Sequence, residues 1–264
     1  MDMKKRLALL CMAAMFLSAC GNTSTDSNTT DATPTAEKKE LTVFAAASLT
    51  ESLNTIKETY EKEHADIELV YNFDSSGTLQ TQIEEGAICD LFISAGQKQM
   101  DGLGELVKQD SRVDLLENTV VLVAPKDATD APKSFDDLVN VSSIALGNSD
   151  VPVGQYSEEI LKNMGLWDTL NENGKITFGS NVKEVTSQVA AGAVDCGIVY
   201  RTDAASEPEI TVVADAPANT YSPAIYPAAV LQDAPEAEAA QEFLDYLNSD
   251  AAMDVFASVG FTRP

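Results

Sequence analysis

The sequence predicts an α/β protein with mainly parallel strand pairing, organised as two similar halves. Three observations predict it. Beyond residue 40, short apolar runs of strand type alternate with apolar stripes of helical period, the grammar of strand–helix–strand units. The segment 82–88 (QIEEGAI) lines up with 188–194 (QVAAGAV) at an offset of 106 residues, and each leads out of a helical pattern into a buried strand; such self-similarity marks a duplicated unit. Finally, 44% of the 264 residues are hydrophobic, enough for one large or two modest cores.

The elements follow in order. Residues 41–47 read as a strand; Leu49, Leu53, Ile56 and Tyr60 then recur at spacings of 4, 3 and 4, a helical stripe. Residues 67–73 are a strand, 79–85 a short helix and 90–94 a strand. The pattern resumes with strands at 120–124, 144–146, 176–178 and 197–200, and with helices at 154–164 and 183–191. Two closing helices, 235–248 and 250–258, complete the core, with Ala240, Phe243, Leu244 and Leu247 on one face of the first.

Charge and composition remove whole classes of function. With 42 acidic against 17 basic residues, net charge -25, the surface as a whole repels nucleic acid and anionic membranes. A single histidine, His64, and four cysteines exclude a His-based catalytic pair and a Cys/His zinc cluster unless His64 itself takes part. No phosphate-binding loop, dinucleotide fingerprint, calcium loop or nucleophile elbow occurs. No enzyme is expected.

The N-terminus reads as an address. Lys4, Lys5 and Arg6 precede an uncharged run, 7–17, too short to span a bilayer, as in an export signal. It closes in Leu17-Ser18-Ala19-Cys20-Gly21, which resembles the bacterial lipobox. The resemblance implies a signal peptide of residues 1–19, lipid attachment at Cys20, and an exported protein anchored to the outer face of the cell membrane. Residues 22–40 contain no Val, Ile, Leu or aromatic residue, so 20–40 is expected to be a tether with a reach of about 25 Å. Removing residues 1–19 leaves 14 basic and 41 acidic residues, a charge of -27. Of the remaining cysteines, Cys89 and Cys196 lie in apolar strand-like runs; both buried free thiols and a disulfide are open readings.

Open α/β sheets bind ligands at the carboxyl ends of their strands, where helix N-termini expose unpaired N–H groups. Four such turns pair off here. Ser76 and Val182 are related by the offset of 106, Ser48 and Val153 by 105. Two facing halves would aim all four into one cleft, an anion clamp with no cationic side chain. Each residue also has an ordinary reading. Ser48-Leu49-Thr50-Glu51 fits an S-x-x-E capping box, Ser75 and Ser76 fit a helix cap, and Val153 and Val182 fit packing positions. Tyr200, ending a strand, is either a core tyrosine or a phenol donor.

Four stretches resemble the molybdate-binding components of bacterial ABC importers: 43–50 (VFAAASLT), 90–97 (DLFISAGQ), 151–170 (VPVGQYSEEILKNMGLWDTL) and 197–204 (GIVYRTDA). The likeness covers about 40–264. It implies a type II periplasmic-binding-protein fold, with two lobes and a cleft between them. The expected first lobe is 41–119 with 225–264, and the second 120–224, crossing near 118–123 and 222–226. It implies that Ser48, Ser76, Val153, Val182 and Tyr200 hold molybdate, or tungstate, through its oxygens without ligating the metal. It also implies a monomer without cofactors that delivers its ligand to a permease and its ATPase. The alternative is the same fold binding another small anion, such as sulfate or a carboxylate. Three departures bear on affinity and selectivity: Asp74 lies two residues before Ser76, Val153 stands where alanine is frequent, and Gly77 replaces a common serine.

Overall fold

The computed structural model describes residues 38–264. The signal and lipidation residues predicted at 1–19 and Cys20, and most of the tether, lie outside them. Ten strands occur among the described residues: β1 (Lys39–Ala46), β2 (Ile67–Asp74), β3 (Leu91–Ile93), β4 (Val113–Asn118), β5 (Val120–Pro125), β6 (Ile144–Gly147), β7 (Ile176–Gly179), β8 (Cys196–Tyr200), β9 (Ile210–Asp215) and β10 (Ala224–Val230). They form two five-stranded sheets, ordered β2-β1-β3-β10-β4 and β7-β6-β8-β5-β9. Replacing each strand of the first sheet by its counterpart reproduces the second, so the 106-residue repeat extends to the whole topology.

Each sheet is mixed. β1 pairs in parallel with β2 and β3, while β10 is antiparallel to both β3 and β4. In the second sheet β6 pairs in parallel with β7 and β8, and β5 is antiparallel to β8 and β9. Four strands of each sheet therefore point the same way, and the predicted parallel character is diluted by one reversed strand. The cause is connectivity. β5 and β10 are the strands by which the chain enters each half from the other, starting at the edge where the forward strands finish.

Helices α1 (Thr50–Glu63), α2 (Ser76–Glu84), α3 (Gln97–Leu103), α4 (Pro152–Asn163), α5 (Trp167–Glu172), α6 (Val182–Ala190), α7 (Arg201–Ser206), α8 (Ala237–Leu247) and α9 (Asp250–Val259) cover the sheets. The apolar stripe predicted after the first strand is real: Leu53, Ile56 and Tyr60 are buried on α1. Helix cover on both sheet faces explains why β5 and β6 read as unbroken apolar runs. The repeated glycines also have a physical reason. Gly86 (φ 91°) and Gly192 (φ 64°) lie just past the ends of α2 and α6 in the left-handed region, where a side chain is strained, and so stop both helices before the next strand.

One apolar core runs through both sheets, and Leu116, Val120, Tyr200, Tyr226 and Phe261 carry it across the crossover. A smaller cluster of Phe44, Leu79, Ile83, Phe92, Met100 and Leu103 lies on the other face of the first sheet. Cys89 and Cys196 are buried free thiols, which resolves the alternatives left by the sequence.

Candidate functional site

The forward strands of the two sheets end toward each other, and the turns that follow them meet at a narrow cavity. Ser48 sits in a 3-10 turn, Ala47–Leu49, inserted between β1 and α1. This extra turn makes Leu49 the N-cap of α1, with no side-chain cap, so the capping-box reading of Ser48 does not hold. The Ser48 hydroxyl instead lies 2.9 Å from that of Tyr226. In the next turn the two serines divide the work. Ser75 is the N-cap and accepts the Thr78 N–H at 3.1 Å, whereas Ser76 opens α2 and accepts the Ala95 N–H at 2.9 Å. An amide can only donate, so the Ser76 hydroxyl keeps its own proton to give away.

The second sheet presents the matching ends. Val151 caps α4 and Pro152 occupies its first position, which makes the amide of Val153 the first N–H of that helix. Asn181 caps α6 by accepting the Glu184 N–H at 3.0 Å, and Val182 follows it at the first position. Amides in a first turn have no carbonyl of their own helix to meet. Tyr200 closes β8, fully buried, and its hydroxyl donates to the Ala95 carbonyl at 3.2 Å. Burial raises the Tyr200 phenol well above its ordinary range, so it remains a neutral donor.

The cavity is walled by Ser48, Ser76, Val182 and Tyr200, with Ala46, Ala47, Ala95, Val151 and Pro152 filling between them and Asp74 and Ser75 at one side. Four of the five predicted residues therefore meet there. Val153 does not line the wall; it is wholly buried one residue behind Pro152. No lysine, arginine or histidine lines the cavity. Roomier hollows on the outside of the second sheet, around Lys126, Asp130 and Asp195, are open to solvent and lack this convergence of donors.

Residues of both halves also hold the cavity shut. Lys183, next to Val182, reaches across to Glu51 at 2.8 Å and lies 3.2 Å from the buried carboxylate of Asp203. Burial alone would lower the Lys183 pKa, but Asp203 and Glu51 together raise it, so its charge is committed to this pair of acids. Sequence reasoning missed Lys183, Glu51 and Asp203, as well as Tyr226, because their partners lie far away in the chain. Ala95 was within reach, since it lies inside the 90–97 stretch.

A narrow cavity lined by serines, a tyrosine and helix N-termini, with no cationic side chain, between two sheets of equivalent topology, defines a two-lobed solute-binding protein of the periplasmic-binding-protein fold. Residues 41–262 match the family model of the bacterial extracellular solute-binding proteins, and the chain belongs to that family. It is 40% identical to YvgL of Bacillus subtilis, provisionally named an ABC transporter substrate-binding lipoprotein, over 98% of both chains. It is 37% identical to the molybdate-binding protein ModA of Haemophilus influenzae, over 86% of this chain and 91% of that one. Among solved structures, the substrate-binding domain of a provisionally assigned molybdenum ABC transporter from Clostridium difficile is 39% identical, with a TM-score of 0.67 over 85% of this chain and 99% of that one.

Proposed function

We propose that this protein captures molybdate, and with it tungstate, between its lobes and delivers it to the membrane subunits of an ABC importer. The observation that carries the reading is the cavity wall: hydroxyls of Ser48, Ser76 and Tyr200 and first-turn helix amides, with no cationic side chain. Ser48 and Ser76 donate by hydroxyl and N–H from one lobe, Val182 by its N–H from the other with the Val153 N–H behind Pro152, and Tyr200 by its phenol, whose single proton turns from the Ala95 carbonyl to the entering oxyanion. Support for molybdate in particular comes from the relatives' names, ModA and the molybdenum transporter domain. The metal is cargo, held through its oxygens; among the described residues no cluster of His, Cys, Asp or Glu is placed to ligate a metal.

Neutral donors suffice because a dianion freed of water makes charge-assisted hydrogen bonds, each about twice as strong as a neutral one. A proton left on the ligand would find few acceptors. Asp74 is the exception in the wall, and its Oδ1 already accepts the Ser75 N–H at 2.7 Å. Phosphate, which carries a proton near neutrality, is therefore disfavoured against molybdate, tungstate and sulfate.

The reading includes the rest of the delivery system. Cys20 carries the lipid after removal of residues 1–19, residues 20–40 tether the domain, and the monomer meets a permease coupled to an ATPase. The lobes are 41–119 with 225–264, and 120–224; membership of the two sheets supports this division. Titration calorimetry of ligand-stripped protein tests the reading against its sulfate or carboxylate alternative. Molybdate and tungstate are expected to bind, and at 100 times the dissociation constant to add about 2.7 kcal/mol to unfolding stability. Binding of sulfate or a carboxylate with none of molybdate or tungstate would reject it.

A further inference from the structure

A serine hydroxyl can offer an anion its proton or its lone pairs, and only the proton helps. What directs the Ser48 proton lies behind it. Ser48 Oγ and Tyr226 Oη are 2.9 Å apart and both buried, a contact in which either group could donate. Asn118 breaks the tie. The Thr119 N–H donates to Asn118 Oδ1 at 2.9 Å, which identifies the other amide atom as the NH2 group. That group donates to Tyr226 Oη at 3.2 Å and to Thr202 Oγ1 at 2.9 Å. The Asn118 NH2 group can only donate, so of the two groups hydrogen-bonded to the Tyr226 hydroxyl, Ser48 Oγ is the one able to take its proton. Ser48 then has one proton left, and the cavity is where it goes.

We propose that Asn118 and Tyr226 are positioning residues that lock Ser48 as a hydrogen-bond donor, and so discriminate in this corner against oxyanions that still carry a proton. The proposal rests on the oxyanion reading and adds to it. The relay is well suited to the role. Asn118 ends β4 and Tyr226 lies on β10, at the crossover between the lobes, so both belong to the frame rather than to a moving rim. Tyr226 is fully buried between the rings of Tyr200 and Phe261, at centroid distances of 5.6 and 5.2 Å, which fix the position of its phenol. It remains protonated as well, since burial raises its pKa well above the ordinary value.

Calorimetry of the wild-type chain, Tyr226→Phe, Asn118→Asp and the double variant, with molybdate and inorganic phosphate as probes, tests it. In Tyr226→Phe the Ser48 hydroxyl is free to rotate. Molybdate is expected to bind about tenfold more weakly while its margin over phosphate narrows. In Asn118→Asp the new carboxylate claims the Tyr226 proton, Ser48 must donate to Tyr226, and its lone pairs face the cavity; a loss of about 100-fold for molybdate is expected. In the double variant Asn118→Asp adds little, because the phenol that relays its effect is gone. Losses that multiply in the double variant, or a Tyr226→Phe margin over phosphate equal to wild type, overturn the relay while leaving the oxyanion reading standing. If Asn118→Asp fails to fold, the Tyr226→Phe margin decides alone. A wild-type chain that binds neither molybdate nor tungstate overturns both.

Discussion

The main-chain N–H of Gly77, in the first turn of α2, donates to the main-chain carbonyl of Asp150 on the opposite lobe at 3.1 Å. A Cβ at position 77 would lie 2.3 Å from that same oxygen, closer than any real contact. The absence of a side chain thus lets two backbones meet beside the cavity. Gly77→Ala separates closure from folding. Within a helix alanine is favoured over glycine by about 1 kcal/mol, so a protein free to open should unfold at the same temperature or slightly higher. Ligand affinity should nonetheless fall about tenfold or more, since the clash exists only when the lobes close. Equal affinity in calorimetry would show that the contact plays no part in closure.

Asp203 provides a pH dependence with a defined sign. Burial pushes its carboxyl from 3.8 up to about 6, with Lys183 opposing. The folded protein then holds this proton more tightly than the unfolded chain between about pH 4 and 6. Ionising Asp203 accordingly costs stability as the pH rises through that window, by about 2 to 3 kcal/mol once complete. Asp203→Asn removes the titration and leaves Lys183 paired with Glu51. Relative to wild type, urea unfolding of the variant should gain about that much between pH 4.5 and 7.5. Parallel stability curves for the two proteins would refute the assignment.

Legibility in the sequence followed burial symmetry. β1, β5, β6 and β8 are covered on both faces and stand out as apolar runs, and α1, α4 and α6 are long enough to show a stripe. β9 lies at a sheet edge with most of its side chains at least partly exposed, and β10 is broken by a register shift between Tyr226 and Pro227, so neither has a clean period. The six-residue helices α5 and α7 contain less than two turns of pattern. At the site, turns after strands were readable because Ser76 and Val182 open helices directly, whereas Ser48 was placed by its position after a strand and not by the capping rule, which fails there. The Ser48 to Tyr226 hydrogen bond was not, because 178 residues separate the partners and no local pattern encodes it.

Asp74 sets a carboxylate in the wall of a cavity suited to an anion. Its Oδ1 holds the Ser75 N–H at 2.7 Å and lies 3.5 Å from Asn181 Nδ2 of the other lobe. The hydrogen bonds organise the turn, while the charge opposes a dianion. Asp74→Asn keeps an oxygen for Ser75 and removes the repulsion, which is worth about 1 kcal/mol even at the dielectric of water. Molybdate should bind roughly fivefold more tightly, and more so at low salt. Weaker binding in titration calorimetry would mean that the turn depends on the charge itself.

The two thiols should be silent in the folded protein. Cys89 and Cys196 are both buried, and burial pushes each thiol up to about 12. Alkylation requires the thiolate and an approach path, so at pH 8 only a minute fraction of either sulfur is reactive, and that fraction is shielded. Cys89 lies on the first lobe and Cys196 begins β8 of the second, each against its own sheet, so neither can reach the other without unfolding. Iodoacetamide followed by mass spectrometry is expected to modify neither residue in native protein and both in urea. Labelling should appear at the rate of global unfolding and slow when ligand is added, because binding lowers the population of the open chain. Rapid modification of Cys196 alone would reveal local opening of the second sheet that its burial argues against.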